Sequence, residues 1–170
     1  RTDGLTGLAN RRAFDEELSR RLSEMERNGG TFSLLLIDVD HFKKINDQYG
    51  HLTGDSILTQ CVADVLCAMK RRMDVVTRYG GDEFAVIFPG SGLEEACHAA
   101  ERLRGSIENK IFPVDNSEIE VTVSLGLAEA LPGEDCKSLI QRADGALYVA
   151  KKAGRNQCYR HNGDSYEPVP

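Results

Sequence analysis

The feature that most constrains the fold is a pair of glycines between two short apolar segments. Residues 75–77 (Val-Val-Thr) precede Arg78-Tyr79-Gly80-Gly81-Asp82-Glu83, and residues 84–88 (Phe-Ala-Val-Ile-Phe) follow it. Glycine readily adopts the positive φ angles of tight turns, so this pattern predicts a β-hairpin around Gly80 and Gly81. The two strands of such a hairpin are antiparallel, which rules out a purely parallel, doubly wound sheet.

The predicted turn ends in two carboxylates, Asp82 and Glu83. An unpaired carboxylate is costly beside a buried strand, so these acids either bind a cation or point into water. This stretch alone leaves both alternatives open. Adjacent residues of a regular strand face opposite sides of a sheet, which favours only one of the two as the main ligand.

Hydrophobic periodicity predicts the remaining elements. Amphipathic helices are expected where apolar residues recur at three- and four-residue steps, at 12–27, 57–69, 93–107 and 139–150. Strands are expected at 32–37, covered on both faces, at 119–127, with one exposed face, and near 157–160. A short helix is expected at 41–47 and a turn at 50–55.

These elements predict an α+β fold, with a central and mainly antiparallel sheet, the Gly-Gly-Asp-Glu hairpin and helices packed on both faces. Residues 1–160 are expected to form one domain, and the polar segment 161–170 is expected to be a disordered tail.

Composition excludes several classes of function. The net charge of −6 argues against general nucleic-acid binding, which uses a basic face. The apolar runs, such as residues 34–37, are too short to span a bilayer, so we expect no membrane contact by this segment and a cytoplasmic location. The five cysteines and four histidines lack zinc-type spacing, which disfavours a structural zinc site.

Asp38 comes directly after the predicted central strand, and Asp82 lies at the hairpin turn. If the sheet pairs these strands, both carboxylates reach the same end of it. Two carboxylates and a backbone carbonyl suit Mg²⁺, with phosphate oxygens completing its coordination, and such a site can support displacement at phosphorus. Gly80 and Gly81 would let a polyphosphate approach the backbone, although the sequence has no P-loop.

The stretch Arg78–Phe84 resembles the signature of the GGDEF domains, the diguanylate cyclases. Other segments resemble further conserved blocks of that family in the family's order, from residue 3 to about residue 160. They are Asp3-Gly4-Leu5-Thr6-Gly7-Leu8-Ala9-Asn10-Arg11, the segments 38–47 and 50–55, Ser124-Leu125-Gly126, and the segment 143–156.

The resemblance implies a role for each matched residue. Asp38, Asp82 and the carbonyl of Val39 would bind Mg²⁺ or Mn²⁺, two ions per site, and Glu83 would support the same site. Asp82 would also lie where the 3′-hydroxyl of the nucleotide loses its proton. The substrate-binding residues implied are Phe42 through its backbone, Lys43, Gly80, Gly81, Lys151 and Arg155 for the triphosphate, and Asn46 and Asp55 for guanine.

Several of these residues also have ordinary structural explanations. Asp55 is a suitable N-cap for the helix that follows, and Asn46 is a common turn former. Lys151 and Arg155 flank a helix C-terminus, where cations are favoured. The occurrence of all four at family positions favours the substrate roles.

A second nucleotide site is implied by Arg71-Arg72-Met73-Asp74, which ends five residues before Gly80. It resembles the family's product-inhibition motif, Arg-x-x-Asp, and Arg102 resembles the family's additional arginine. Arginine side chains suit phosphates and guanine edges. The alternative explanation is a charged turn between a helix and a strand.

The function implied is the condensation of two GTP into cyclic di-GMP and two pyrophosphates, across a homodimer, with product inhibition at Arg71, Asp74 and Arg102. An upstream sensory or dimerising region would control it, in a larger bacterial protein that is either free or attached to a membrane. One alternative is a non-catalytic receptor that binds cyclic di-GMP or GTP, which the retained acids and glycines disfavour. Another is a cyclase that also uses ATP, which Asp55 disfavours.

Overall fold

The computed structural model describes residues 1–170. Strand β1 (Phe32–Val39) lies in the middle layer of the fold, between two layers of helices. Every residue of β1 is buried. Leu34 and Leu36 belong to one apolar cluster, and Leu35 and Ile37 to another on the opposite face of the sheet. The nearly all-apolar sequence of β1 therefore places it at the centre of the sheet, as predicted.

Five further strands join β1 in the main sheet, namely β2 (Val75–Arg78), β3 (Glu83–Pro89), β6 (Val123–Glu129), β7 (Cys158–His161) and β8 (Tyr166–Pro168). The order of the six strands is β2-β3-β1-β6-β7-β8. All neighbouring pairs are antiparallel except β6 and β7. The predicted α+β class with a mainly antiparallel sheet is confirmed.

Helices cover both faces of this sheet, as predicted. On one face lie α1 (Arg11–Asn28) and α6 (Cys136–Lys152), and on the other lie α2 (Phe42–Tyr49) and α5 (Leu93–Glu108). Asn10 caps α1 by accepting a hydrogen bond from the Ala13 N–H at 3.0 Å. Such caps satisfy amides that have no partner within the helix.

The helix expected at 57–69 begins earlier than predicted. It runs without a break through α3 (His51–Ser56), a π-helical segment (Ile57–Ala63) and α4 (Asp64–Met69). The turn predicted at 50–55 is therefore wrong, because only Gly50, with φ 90°, lies outside the helix. Asp55 is inside the helix, so its alternative explanation as an N-cap is also wrong.

The helix His51–Met69 has a length of 19 residues and a mean hydropathy of 1.2, which by themselves would allow it to cross a membrane. In the structure its apolar stripe, including Ile57, Leu58 and Leu66, is buried in the core against the sheet. A core helix meets the same criteria of length and composition.

The single strand predicted at 119–127 is two strands. β5 (Ser117–Ile119) pairs with β4 (Phe112–Val114) in a separate hairpin, and β6 begins only at Val123. The exposed face predicted for this segment is also wrong for β6. Ser124 is fully buried, and a Cβ on Gly126 would lie 2.2 Å from the carbonyl oxygen of Ala143 in α6.

The tail predicted to be disordered, 161–170, is folded in the structure. β8 pairs with β7, with Tyr166 opposite His161, and the Val169 N–H donates to the Cys158 carbonyl at 2.9 Å. The Tyr166 hydroxyl fits beside Gly145 of α6, where a Cβ would lie 1.9 Å from it. The pairing of β8 with β7 and the fit of Tyr166 against Gly145 cannot be read from the polar composition of the tail, which was the basis of the wrong prediction.

Candidate active site

The hairpin predicted around Gly80 and Gly81 exists, with Arg78 opposite Phe84. Its turn is held by the Glu83 carbonyl, which accepts from the Tyr79 N–H at 2.8 Å and the Gly80 N–H at 3.1 Å. Neither glycine has a positive φ, so the prediction that the turn needs glycine for its positive φ angles is wrong. A Cβ on Gly80 would lie 3.2 Å from Glu83 Oε1, a tight contact that a small shift of the Glu83 side chain would relieve.

Arg78 fixes the path of this turn. Its Nη2 donates to the Gly81 carbonyl at 2.8 Å, and its Nε lies 3.2 Å from the carbonyls of both glycines. Its Nη1 donates to the Asp3 carboxylate at 3.2 Å, and Asp3 also accepts from the Thr6 N–H and hydroxyl. The opening loop of the chain therefore supports the turn. Neither Arg78 nor Asp3 was assigned a role from the sequence.

The three acids predicted for the metal site converge at one end of the sheet. Asp38 at the end of β1 is directly opposite Glu83 in β3, so the two project on the same face. Asp82 lies in the turn, and its carbonyl accepts from the Val39 N–H at 3.1 Å. Because Asp82 lies in the turn, its side chain does not follow the alternation of a regular strand, and both Asp82 and Glu83 approach Asp38.

Crowding and burial change the proton affinity of these groups. Burial and the adjacent Asp38 carboxylate raise the pKa of Asp82 to about 6. Burial and Asp38 also raise the pKa of Glu83, and Lys151 partly offsets this. A cation at this position would relieve the repulsion among the carboxylates.

Asp38 carries the strongest sign of a missing ligand. Its Oδ2 forms an ion pair with Lys151 Nζ, whereas its Oδ1 is buried and has no hydrogen-bond partner. Buried polar atoms without a partner are uncommon. No group of three or more His, Cys, Asp or Glu side chains is arranged to hold a metal ion. The carboxylates of Asp38 and Asp82 by themselves supply only part of an oxygen site for Mg²⁺, and phosphate oxygens would have to complete it.

The residues predicted to hold the triphosphate surround the same end of the sheet. Helix α2 begins at Phe42, and its N-cap residue His41, with φ 55°, makes no capping hydrogen bond through its side chain. The first amides of α2 therefore have no side-chain partner and could bind an anion. Lys43 follows on its exposed side. Arg155, with φ 63°, donates to the Lys151 carbonyl at 3.4 Å. Lys151 itself is engaged with Asp38.

The predicted guanine-binding residues lie on two helices that pack closely. Asn46 is on α2 and Asp55 on α3. A Cβ on Gly54 would lie 1.8 Å from Asn46 Oδ1, so glycine is required for this approach. Asn46 Oδ1 is buried against Gly54 without a hydrogen-bond partner, which is uncommon for a buried polar atom.

Asp40 is a functional candidate that the sequence analysis missed. It is 6% exposed and accepts from the Thr122 and Ser124 hydroxyls at 2.7 and 2.6 Å. It also accepts from the Asn156 N–H at 3.0 Å, which fixes the turn that carries Arg155. Its position two residues after Asp38, at the end of a buried strand, was the only signal in the sequence.

Arg11 and Tyr79 were also missed. The Arg11 guanidinium lies 3.9 Å from the centre of the Tyr79 ring, and Phe14 meets that ring edge-on at 5.2 Å. Such contacts are stabilising. They attach the hairpin turn to α1.

The residues of the predicted inhibitory motif come together away from this site. Arg71 donates to Asp74 Oδ1 at 2.8 Å through Nη2 and to the Pro89 carbonyl at 2.9 Å. Both residues line a cavity of 350 Å³ together with Arg102 of α5. The three residues named from the sequence therefore share one cavity.

Comparison with known proteins agrees with this architecture. The family model described as "Diguanylate cyclase, GGDEF domain" matches residues 1–157. The diguanylate cyclase DgcP of Pseudomonas aeruginosa is 40% identical over 156 residues, which is 92% of this chain and 23% of DgcP. DgcZ of Escherichia coli is also 40% identical over 156 residues, or 92% of this chain and 52% of DgcZ. The chain thus spans about half the length of DgcZ and a quarter of DgcP.

Among solved structures, the coiled coil and GGDEF domain of DgcB from Caulobacter crescentus, in complex with c-di-GMP, superposes with a TM-score of 0.90. It is 40% identical, and the match covers 94% of this chain and 85% of that one. Because the family model matches residues 1–157 of the 170, the chain belongs to the GGDEF domain family.

Proposed function

We propose that this domain is a diguanylate cyclase, in which two GTP condense to one cyclic di-GMP and two pyrophosphates. In each half-reaction a 3′-oxygen forms a bond to the α-phosphorus of the other GTP, and the bond from that phosphorus to the bridging oxygen of pyrophosphate breaks. The observation that carries the proposal is the convergence of Asp38, Asp82 and Glu83 beside an open hairpin turn, with one buried Asp38 oxygen unpaired.

Asp38, Asp82 and the Val39 carbonyl would hold Mg²⁺ or Mn²⁺, proposed as two ions per site, with support from Glu83. Bound there, the metal would neutralise charge on the phosphates and make the 3′-hydroxyl more acidic. Asp82 is the proposed acceptor of the 3′-hydroxyl proton. A pKa raised to about 6 leaves it largely ionised at neutral pH yet basic enough to accept a proton.

The remaining site residues would orient GTP. The amides at the start of α2, with Lys43 and Arg155, would bind the phosphates, and Lys151 would join them when it leaves Asp38. Asn46 and Asp55 would read guanine, whose ring N–H and amino group are donors that suit an amide oxygen and a carboxylate. Adenine lacks that pair of donors, so use of ATP is disfavoured.

Turnover is proposed to need a homodimer, because one domain holds one GTP and the attacking hydroxyl comes from the other. Residues 1–160 are proposed as the catalytic unit, and an upstream sensory or dimerising region as its control. GTP is an intracellular nucleotide, so the domain is expected to act in the cytoplasm.

The test is incubation of the chain, fused to a dimerising coiled coil, with GTP and Mg²⁺, followed by chromatography for cyclic di-GMP and pyrophosphate. We expect both products in a 1:2 ratio, none from Asp82→Asn, and normal yield from Asp47→Asn, an exposed control on α2. A folded wild-type dimer that makes no product would refute the enzyme proposal. Product from ATP at a similar rate would refute the guanine assignment.

A second candidate function is supported by the cavity that Arg71, Asp74 and Arg102 share. We propose that it binds cyclic di-GMP as a product inhibitor. In a domain without turnover, the same cavity would make the protein a receptor for that nucleotide. Arg71→Ala should relieve inhibition by added product and leave the initial rate unchanged. Unchanged inhibition would refute this site.

A further inference from the structure

The turn that carries Arg155 has an uncommon backbone conformation. Gly154, Arg155 and Asn156 have φ angles of 126°, 63° and 48°, so three successive residues have a positive φ. Glycine adopts such angles readily and asparagine tolerates them, whereas they are uncommon for arginine. A residue persists in such a conformation only where its surroundings hold it there. The place of the Arg155 guanidinium therefore depends on the contacts that hold this turn.

One support of the turn is a backbone bond to the end of the central strand. The Asn156 N–H donates to Asp40 Oδ2 at 3.0 Å, and the Thr122 hydroxyl donates to the same oxygen at 2.7 Å. Asp40 comes directly after Val39, and its own N–H donates to the Thr122 carbonyl at 2.9 Å. Because Asp40 is buried, these bonds are shielded from water. This support joins the turn to the end of the sheet where Asp38 lies.

The second support reaches α5 through the Asn156 side chain. Its Oδ1 accepts from Arg104 Nη1 at 2.9 Å, and its Nδ2 donates to the Glu108 carboxylate. Arg104 is itself fixed, because its Nη2 donates to Glu101 at 2.5 Å and its Nη1 to Glu108 at 3.3 Å. Only 17% of the Arg104 side chain is exposed. Both polar groups of the Asn156 amide are therefore bonded to one helix, some 50 positions away in sequence.

Two explanations account for an asparagine at this position. A φ of 48° by itself favours asparagine or glycine over other residues, but it requires no partner for the side chain. The bonds with Arg104 and Glu108 require the amide itself. We propose that Asn156 is a positioning residue, which joins the end of β1 to α5 and thereby holds Arg155 in place for the triphosphate. This inference rests on the phosphate-binding role proposed above for Arg155, and it adds α5 to the supports of that site.

Isothermal titration with 3′-deoxy-GTP and Mg²⁺ tests the inference. This nucleotide keeps the guanine and the triphosphate and lacks the hydroxyl that would react, so binding is measured without turnover. Asn156→Gly leaves the backbone free to adopt a positive φ and removes both side-chain bonds. It should weaken binding about tenfold.

Glu108→Ala removes the α5 acceptor of the Asn156 side chain, at an exposed position, and should weaken binding about threefold. Loss of a carboxylate would by charge alone tighten the binding of an anion, so weaker binding reports the lost contact. The control is Glu26→Ala, which removes an exposed carboxylate without hydrogen bonds from the last turn of α1 and should bind like wild type. Tighter binding by Glu108→Ala would count against the inference.

A background without the arginine shows whether Asn156 acts through Arg155. Arg155→Asn removes the guanidinium and keeps a residue that tolerates the left-handed backbone. In that background Asn156→Gly should cause no further loss of affinity. A loss of the same size with and without Arg155 would refute the inference. Wild-type affinity in Asn156→Gly alone would also refute it, because the backbone would then be the only reason for asparagine.

The same titrations separate this inference from the proposed function. If Arg155→Asn weakens binding and Asn156→Gly does not, only the role of Asn156 is wrong. If Arg155→Asn binds like wild type, or wild type does not bind the nucleotide, the phosphate-binding role of Arg155 is wrong as well.

Discussion

Asp3 and Arg78 are 75 positions apart in sequence, yet the Arg78 Nη1 lies 3.2 and 3.3 Å from the two carboxylate oxygens of Asp3. The same guanidinium donates to the carbonyls of Gly80 and Gly81. Both Asp3 and Arg78 side chains are about one-fifth exposed, so the pair is partly shielded from water. The position of the hairpin turn therefore depends on the opening loop.

Arg78→Ala should lower kcat about 10- to 100-fold, because a turn displaced by a fraction of an ångström misplaces Asp82. We expect Asp3→Asn to lower kcat less, and the double variant to be no worse than Arg78→Ala alone. Steady-state kinetics on the forced dimer would measure this. Arg12→Ala, which removes an exposed ion pair on α1, is the control and should be neutral. Additive losses in the double variant would contradict the coupling.

Asp82→Asn should stabilise the metal-free domain at pH 8 while it abolishes turnover. The folded-state pKa of Asp82, about 6, lies above the ordinary value of 3.8, so the folded domain binds a proton more tightly than the unfolded chain does. Stability is therefore lost as the pH rises from about 4 to about 6, and the loss persists above that range. Allowing for solvent screening of a half-buried group, we expect a gain of about 1 kcal/mol for the variant.

Thermal denaturation with a chelator present, at pH 4 and pH 8, would measure the difference. The gain should vanish at pH 4, where wild-type Asp82 is protonated. Asp47→Asn, an exposed carboxylate on α2, should show no gain at either pH. A gain of the same size at both pH values would argue against a raised pKa as its cause.

Gly54→Ala should impair nucleotide binding more than stability. The new methyl group would lie 1.8 Å from Asn46 Oδ1, at the end of a side chain that can move away. The displaced Asn46 would lose its bond to guanine, which should raise KM for GTP about tenfold. Gly105→Ala on α5, where a Cβ meets nothing within 4 Å, is the control. Equal KM values for the two variants would contradict the position assigned to guanine.

Gly126→Ala should destabilise the whole domain. Its Cβ would lie 2.2 Å from the Ala143 carbonyl oxygen and 2.3 Å from the Leu147 nitrogen, and these backbone atoms cannot move without shifting α6 from β6. We expect a loss of about 3 kcal/mol in the free energy of unfolding. Urea denaturation would measure it, with Gly105→Ala again as the control. If the free energy of unfolding fell no more than it does for an ordinary surface substitution, the close packing of β6 against α6 would be contradicted.

The sequence predicted most reliably where a local pattern determines the structure. The apolar run of β1 and the pattern around Gly80 are local, and they specified the central strand and the hairpin. The start of α3 was missed because Gly50 and Gly54 suggest a turn, whereas Gly54 is glycine to admit Asn46. The folded structure of the last ten residues was not predicted, because β8 depends on pairing with β7 and on the space that Gly145 leaves for Tyr166.

The same distinction applies to the site. Asp38 and Asp82 could be predicted together, because both lie at ends of neighbouring strands. The partners of Arg78 and Lys151 could not, since a cation in the sequence gives no indication of which distant carboxylate it meets. The support given by Asp40 to the Arg155 turn likewise depends on a contact across 116 positions.

The ion pair between Lys151 and Asp38 joins a residue proposed to bind phosphate to a residue proposed to bind metal. In that proposal a triphosphate that attracts Lys151 would free the carboxylate for a divalent cation, and a cation on Asp38 would free the lysine for phosphate. Each ligand would then raise the affinity for the other, and linkage requires the two enhancements to be equal. Without ligands, Lys151 is thus an internal counterion of Asp38, which the proposed nucleotide and metal would replace together.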